Sequence, residues 1–145
     1  FLDKLRSFWN GKILVKGVLS IEDAIRIKES GIDGVWVSNH GGRQLDGAPS
    51  PINILPLMRK ALGSDYPIAF DSGLRDASDI VKALASGADF TFFGRPILHS
   101  LAAAGKSGLE KIISTFSEEL KIIMAQIGVK EICEINNTVL ARSQE

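Results

Sequence analysis

The stretch ILVKGVLSIEDAIRIKESGIDGVWVS, residues 13–38, contains an apolar strand, a glycine turn, an amphipathic helix, a Ser-Gly turn and a second apolar strand. The same order of elements recurs over residues 69–94, and identical residues mark the turns of both stretches. The identities pair Gly17 with Gly73, Asp23 with Asp79, Ser30 with Ser86, Gly31 with Gly87 and Asp33 with Asp89. Shared turn and cap residues in one order predict two copies of a strand–helix–strand unit.

Four apolar strands are predicted along the chain, and a helix follows each of them. The strands are expected at 13–16, 35–38, 68–71 and 90–93, and the helices at 20–29, 51–62, 77–85 and, beyond a short helix after Pro96, at 108–127. This alternation predicts an α/β fold with a parallel sheet built from right-handed crossovers. Repeats of this length suit either half of a (β/α)8 barrel or a small doubly wound sheet.

A half-barrel has consequences for association. Four strands do not close a barrel, so two strand edges and an apolar inner face are expected to pair with another chain or to aggregate. The chain 1–145 is treated as one unit, in which residues 136–145 are expected to form a C-terminal tail that frays at Gln144 and Glu145. Because the chain begins at Phe1 rather than at a methionine, we expect it to be a piece of a longer protein.

Charge and cysteine content limit the classes of partner. The 17 basic and 17 acidic residues balance, which argues against broad capture of nucleic acid or an anionic membrane surface. The single cysteine, Cys133, excludes an internal disulfide and suits a reducing compartment. No paired-cysteine or His-x-x-x-His pattern indicates a metal site. With neither a signal peptide nor an apolar run of membrane-spanning length, a cytoplasmic location is expected.

The segment SNHGGRQLDG, residues 38–47, begins where the second predicted strand ends. Active sites of α/β barrels are built at that end of the strands. His40 there can move protons near neutral pH, and the guanidinium of Arg43 suits a carboxylate. A polar loop whose histidine only caps a helix is the alternative for a lone histidine. The attached Gly-Gly-Arg favours a functional site.

Two glycine turns follow the next two predicted strands. One is Asp71-Ser72-Gly73-Leu74-Arg75, and the other is Gly94-Arg95-Pro96. Glycine turns that lead into helix N-termini bind phosphate through backbone N–H groups, and the last two loops of a (β/α)8 barrel often form such a site. Either turn alone could serve only as a tight turn, but together they indicate a phosphate site to which Arg75 and Arg95 add charge.

Lys16 ends the apolar strand ILVK. A lysine at a strand end can neutralise negative charge that develops on a cofactor ring, or it can be an ordinary surface residue. The residues of the strand alone leave both readings open.

Taken together, these motifs resemble the FMN-dependent 2-hydroxy-acid dehydrogenase/oxidase family, which includes glycolate oxidase, L-lactate dehydrogenase and mandelate dehydrogenase. The resemblance covers residues 9–135 and rests on VKG at 15–17, SNHGGRQLD at 38–46, DSGLR at 71–75 and GRP at 94–96. It implies that the chain is the C-terminal half, about strands five to eight, of a (β/α)8 catalytic barrel. The alternative of another phosphate-binding barrel, such as an isomerase, is disfavoured by HGGR at 40–43.

The resemblance implies a role for each motif residue. FMN is the expected cofactor, a small (S)-2-hydroxy acid is the expected substrate, and a 2-oxo acid is the product. His40 is expected to act as the catalytic base, and Arg43 to grip the substrate carboxylate. The residues expected to bind FMN are Lys16 and Ser38 at the flavin, and Asp71, Ser72, Gly73, Arg75, Gly94 and Arg95 at the ribityl-phosphate arm.

The resemblance also defines what this chain lacks. The N-terminal half of the same barrel is the expected partner, and the complete protein is expected to be a homo-oligomer. Peripheral membrane association would come from a segment outside this chain. A different reading remains open, in which 145 residues form a non-catalytic half-barrel that binds a phosphate ligand or self-associates.

Overall fold

The computed structural model describes residues 1–141, which fold as helices on one face of a parallel sheet. The helices are α1 (Leu2–Phe8), α2 (Ile21–Glu29), α3 (Pro51–Leu62), α4 (Ala77–Ala85) and α5 (Arg95–Gln126). The strands are β1 (Leu14–Val18), β2 (Gly34–Val37), β3 (Ile68–Phe70) and β4 (Phe90–Thr91). Short 3-10 turns lie at His40–Gly42, Ile132–Glu134 and Asn137–Val139. In the described part of the chain, no helix is both long and apolar enough to span a membrane.

The four strands pair in chain order, and every pair is parallel. The α/β fold and parallel sheet predicted from the sequence are therefore confirmed. One face of the sheet packs against helices and buries Val35, Val37, Ile68 and Phe70 almost completely. Each such side chain contributes about 2 kcal/mol through burial. The core of the protein thus lies between the sheet and helices α2 to α4.

The other face of the sheet has no helix of residues 1–141 packed on it and is largely exposed at β1 and β4, although Ala69 on it is buried. One row across it consists of Lys16, Trp36, Ala69 and Phe90, which are neighbours in register. Phe90 is 62% exposed, and Leu14, one step along the same face of β1, is 45% exposed. The expected apolar inner face is therefore present in the structure.

Helix signals in the sequence correspond to helix ends in the structure. The Ser20 side chain accepts a hydrogen bond from the N–H of Asp23, as an N-cap does, and Pro51 occupies the first turn of α3. The cap of α4 is Asp76, whose Oδ1 accepts from the N–H of Asp79. Helices α3 and α4 end at the predicted residues, so local sequence signals were sufficient to predict these helix ends.

Two similar hydrogen-bonded clusters, each centred on an aspartate, lie at the amino-terminal edge of the sheet. Asp33 accepts hydrogen bonds from Arg6 and from the N–H of Ile13, which leads into β1. Asp89 likewise accepts from Arg59 at 2.6 Å and from the N–H of Ile68 at 2.7 Å. Both carboxylates follow a Ser-Gly turn, so the repeat seen in the sequence positions equivalent ion pairs at this edge.

Several predicted elements differ from the structure. Strand β1 spans Leu14–Val18 rather than residues 13–16, so Lys16 lies within it and does not end it, and β2 and β3 each end one residue before the predicted position. Helix α1 was not predicted, and its short, mostly exposed sequence has no buried residue that would set a pattern. Strand β4 ends at Thr91 rather than at residue 93, because only Ala69 and Phe70 of β3 pair with it. The segment after Pro96 is longer than predicted, since α5 runs from residue 95 and is interrupted only at Ala104 and Gly105.

A close crossing explains the interruption in α5. A Cβ added to Gly108 would lie 2.0 Å from the carbonyl oxygen of Ser100, so the two helical parts approach each other where no side chain fits. Gly105 has a φ of 56°, which reverses the chain between them. The helix after the crossing packs on α4 through an apolar cluster that includes Val81, Leu120 and Met124.

The C-terminal segment is partly structured. Residues Asn137–Val139 form a 3-10 turn, and Val139 and Leu140 pack against the cluster between α4 and α5. The predicted fraying at Gln144 and Glu145 lies outside the described residues.

Candidate functional site

The carboxyl-terminal edge of the sheet opens into a cavity of about 580 Å³. This volume falls within the range of small-molecule sites. The predicted site residues that line it are Lys16, His40, Arg43, Asp71, Ser72, Gly73, Arg75, Gly94 and Arg95. The one remaining predicted residue, Ser38, lies beneath the cavity and is 1% exposed. The structure therefore brings the separate motifs together at one site.

Lys16 and Asp71 form an ion pair at the floor of this site. Lys16 Nζ lies 2.7 Å from Asp71 Oδ2, 2.8 Å from Ser38 Oγ, and 4.7 Å from the centroid of the Trp36 ring. Burial raises the pKa of Asp71, but interactions with Lys16, Ser38 and Ser72 outweigh burial and lower it below its ordinary value. The floor of the cavity therefore holds an ionised carboxylate beside an ammonium group.

The loop after β2 has an unusual backbone. His40, Gly41 and Gly42 have φ values of 59°, 68° and 74°, all in the left-handed region. Hydrogen bonds hold this conformation: Ser38 Oγ accepts from the N–H of His40, and Asn39 Oδ1 accepts from the N–H of Gly42. The 3-10 turn at His40–Gly42 was not predicted, because consecutive left-handed residues have no periodic sequence signal.

The two side chains expected to act on substrate are exposed. His40 and Arg43 both border the cavity, and neither side chain forms a hydrogen bond or ion pair with residues 1–141. A guanidinium and an imidazole at the same opening can receive a carboxylate and a proton. Their polar groups therefore remain available to a ligand.

The two glycine turns face the cavity from β3 and β4. The backbone N–H groups of Gly73 and Gly94 donate to no acceptor in the described part of the chain. Arg75 Nη1 donates to the carbonyl of Leu74 at 3.1 Å, and Arg95 Nη2 donates to the carbonyl of Gly41 at 2.6 Å. Arg95 thus reaches from the second turn to the histidine loop, a contact that sequence reasoning did not anticipate.

Aromatic residues that sequence reasoning did not assign to the site also line it. The rings of Trp36 and Phe92 stack with centroids 3.9 Å apart, and Phe93 and Leu98 complete the apolar wall. Trp36 Nε1 is buried and has no acceptor among residues 1–141. The available signal was position, since Trp36 precedes Ser38 by two residues and so shares its face of β2.

No grouping of three or more His, Cys, Asp and Glu side chains within residues 1–141 can hold a metal ion. The polar groups of the cavity are instead suited to an anionic organic ligand. Its charges come from Lys16, Arg43, Arg75 and Arg95 against the single carboxylate of Asp71.

Comparison with known proteins gives consistent results. The chain is 41% identical over 141 residues to an L-lactate dehydrogenase of Vibrio cholerae, and the match covers 97% of this chain and 37% of that protein. An L-lactate oxidase of Lentilactobacillus hilgardii is 41% identical over 137 residues, with 94% of this chain and 37% of the relative covered. The chain therefore spans less than two fifths of the length of these relatives.

The fold agrees with the sequence similarity. A soluble mutant of the membrane-associated (S)-mandelate dehydrogenase from Pseudomonas putida superposes with a TM-score of 0.92 at 43% identity, covering 98% of this chain and 40% of that structure. The family model described as FMN-dependent dehydrogenase matches residues 1–142, which is nearly the whole sequence. The chain belongs to the FMN-dependent dehydrogenase family.

Proposed function

We propose that this chain supplies strands five to eight, the C-terminal half, of a (β/α)8 barrel that uses FMN to oxidise a small (S)-2-hydroxy acid to the 2-oxo acid. The observation that carries this function is the convergence of His40, Arg43 and both glycine turns on one cavity. Proton transfer, carboxylate binding and phosphate binding are then available within one site. Lactate, glycolate and mandelate are the substrates of the expected type.

The residues of the cavity fit FMN. The N–H groups of Gly73 and Gly94 are available for a phosphate, and Arg75 and Arg95 supply positive charge beside them. Asp71 and Ser72 belong to the turn that would hold the ribityl-phosphate arm. Lys16, held in place by Asp71 and Ser38, would lie at the flavin ring and stabilise negative charge there. When bound, FMN supplies the acceptor for the two electrons of the oxidation.

The chain's own residues would orient the substrate and move its proton. Arg43 binds the carboxylate of the hydroxy acid through two parallel hydrogen bonds, which fixes the α-carbon. His40 accepts the substrate proton, and the hydrogen-bonded left-handed backbone of residues 40–42 limits where its imidazole can lie. Ser38 supports both steps from below, since its hydroxyl contacts Lys16 Nζ and the N–H of His40.

The complete site requires the other half of the barrel. The open sheet face, with Phe90 and Leu14 exposed, is what four missing strands would cover. We propose that the N-terminal half of the same protein covers it and that the complete protein is a homo-oligomer in the cytoplasm. A peripheral membrane contact would come from the missing part, by analogy with the membrane-associated mandelate dehydrogenase.

Anaerobic reduction of the bound flavin tests this function. The protein that contains this chain in a complete barrel is mixed with L-lactate, glycolate or (S)-mandelate, and the flavin absorbance is followed. Bleaching by at least one of them is expected. If no 2-hydroxy acid bleaches a flavin that the protein demonstrably binds, the proposed reaction is wrong.

The exposed inner face favours a second function for the 145-residue chain alone, that of a non-catalytic half-barrel that self-associates or binds a phosphate ligand. Analytical ultracentrifugation combined with an absorbance spectrum separates the two. A colourless monomer or homodimer supports the second function. A yellow species that contains a partner chain supports the enzyme.

A further inference from the structure

Ser72 combines an unfavourable backbone conformation with a hydroxyl group that makes three hydrogen bonds. It lies between Asp71 and Gly73 in the turn after β3, and its φ is 83°. That left-handed region favours glycine, because a Cβ approaches the backbone there. A glycine would form the same turn without strain, so the presence of a serine here suggests that its hydroxyl group has a role.

The Ser72 hydroxyl connects the turn to the histidine loop. It donates to Asp71 Oδ1 at 2.8 Å, and its oxygen accepts from the N–H of Asn39 at 3.3 Å and from the N–H of Gly41 at 3.2 Å. A hydroxyl has one hydrogen and two lone pairs, and all three are used. The side chain of Ser72 therefore has no capacity left for a cofactor atom.

The two amides that Ser72 holds lie on either side of His40. The imidazole forms no hydrogen bond with residues 1–141, so its position depends on the backbone of residues 39–41. That backbone is held from one side by Ser72 and from the other by Arg95, which donates to the carbonyl of Gly41. The contact with Asp71 also links the loop to the Lys16 ion pair.

We infer that Ser72 is a positioning residue, whose hydroxyl fixes the backbone around His40 and so places the imidazole for proton transfer. This role deepens the function proposed above and rests on it. Any contribution of Ser72 to FMN binding then comes from its backbone, since its hydroxyl is committed to the loop.

Two substitutions separate the effect of the Ser72 hydroxyl on the histidine loop from the effect of the strained backbone at Ser72. In the complete FMN-bound protein, Ser72→Ala removes the hydroxyl and keeps the Cβ, whereas Ser72→Gly removes both. We expect both variants to lower kcat for flavin reduction about 10- to 100-fold, because a small displacement of the imidazole slows proton transfer. The Kd for FMN and the KM are expected to stay within about twofold, since phosphate and carboxylate contacts are unchanged. Ser72→Gly should melt closer to the parent than Ser72→Ala does, since both lose the same hydrogen bonds and only glycine relieves the positive φ.

Amide hydrogen exchange gives a readout that does not depend on activity. Protection of the amides of Asn39 and Gly41 should fall about tenfold or more in both variants, because each amide loses its acceptor. Ser64→Gly is the matched control, since the Ser64 hydroxyl contacts only Asp65 in an exposed turn before β3. That control should leave kcat and the exchange of both loop amides unchanged.

Several results would overturn the role. One is a weakened FMN affinity with unchanged kcat, which would make the hydroxyl a cofactor ligand. Another is a loss of kcat in Ser72→Gly that only follows a loss of folded protein, which would make the role structural. Unchanged exchange at Asn39 and Gly41 would also overturn it. If the parent protein binds flavin but no hydroxy acid bleaches it, the proposed reaction fails, and hydrogen exchange still decides the role of Ser72.

Discussion

The two strand–helix–strand units, residues 13–37 and 68–91, are alike at one edge of the sheet and different at the other. At the amino-terminal edge, Asp33 and Asp89 follow equivalent turns and accept equivalent hydrogen bonds. The arginines match as well, since Arg6 also donates to the carbonyl of Gly31, as Arg59 does to that of Gly87. This edge is therefore built twice from the same interactions.

At the carboxyl-terminal edge, equivalent positions carry different groups. Lys16 and Ser72 each precede a glycine in the left-handed region, with φ of 87° at Gly17 and 89° at Gly73. The two positions differ in backbone and in side chain. Lys16 lies within β1 and pairs its ammonium group with Asp71, whereas Ser72 has a φ of 83° and its hydroxyl holds the histidine loop. One edge thus maintains the fold, while the other carries the groups of the proposed site, as in barrels generally.

Two lysines, Lys12 before β1 and Lys16 within it, offer the largest test of this contrast. Lys16→Met leaves Asp71 without its cation and removes positive charge from the proposed flavin site, so we expect flavin reduction to slow about 100- to 1,000-fold. Lys12→Met is the matched control, because Lys12 pairs with Asp33 at the opposite edge. Stopped-flow absorbance of the complete protein measures both. Equal effects of the two substitutions would contradict the division between edges.

Arginines of the amino-terminal edge are expected to affect the stability of the fold rather than the rate of flavin reduction. Arg59→Ala removes hydrogen bonds to the carbonyls of Gly63, Tyr66 and Gly87 and to the carboxylate of Asp89, and we expect it to cost about 3 kcal/mol of unfolding free energy. Urea denaturation measures this loss.

Arg6→Ala should cost less, since Arg6 joins only the terminal helix α1 to the edge of the sheet. Lys60→Ala, at the exposed neighbouring position, is the control and should be close to neutral. A stability loss for Lys60→Ala as large as that for Arg59→Ala would show that the hydrogen bonds of Arg59 do not cause the loss in Arg59→Ala.

The equivalent glycines Gly31 and Gly87 sharpen the comparison, because their surroundings differ. Both have positive φ, so alanine strains the backbone by about 1 kcal/mol at either position. A Cβ at Gly87 would also lie 2.6 Å from Cβ of Arg59, whereas none of the surrounding atoms comes within 4 Å of a Cβ at Gly31. Gly87→Ala should therefore be the more destabilising of the two by about 1–2 kcal/mol in thermal unfolding. Equal losses would mean that Arg59 moves aside without cost.

The smallest expected effect is on acid stability. The side chains of Arg6 and Lys12 and the N–H of Ile13 lower the pKa of Asp33 well below its ordinary value of 3.8, and the pKa of Asp71 is also lowered. Below about pH 4 the unfolded chain therefore binds protons before the folded one, so stability falls as the pH falls. Asp33→Asn should reduce that slope, which denaturation between pH 3 and about 6 would reveal. An unchanged slope would contradict the pKa assignment.

Much of the fold could be predicted because its signals are local. Cap and turn residues such as Ser20, Pro51 and Gly31 determine helix ends within a few residues of themselves. The alternation of strands and helices then left few topologies for the sheet. Helix α1 was missed because its contacts with the body of the protein run through Leu2 and Arg6, and the partners of Arg6 at the sheet are 25 and 27 residues away.

The residues of the site were predictable, but their interactions were not. Glycine turns and the His40 loop could be placed at strand ends from the order of motifs. The contacts of Ser72 with Asn39 and of Arg95 with Gly41 join residues from different strands, and their geometry depends on left-handed backbone with no periodic signal. Trp36 was not assigned to the site, because its stacking on Phe92 in the cavity wall also joins residues that are far apart in the sequence.

The most direct test of the central claim is flavin reduction in His40→Gln. In the complete protein, FMN is bound first and its affinity is measured, and a 2-hydroxy acid that bleaches the parent is then added without oxygen. We expect the variant to bind FMN as the parent does and to show no bleaching, because the base is absent and the glycine turns are intact. Bleaching at the parental rate, or loss of FMN from the variant, would contradict the assignment of His40 as the catalytic base.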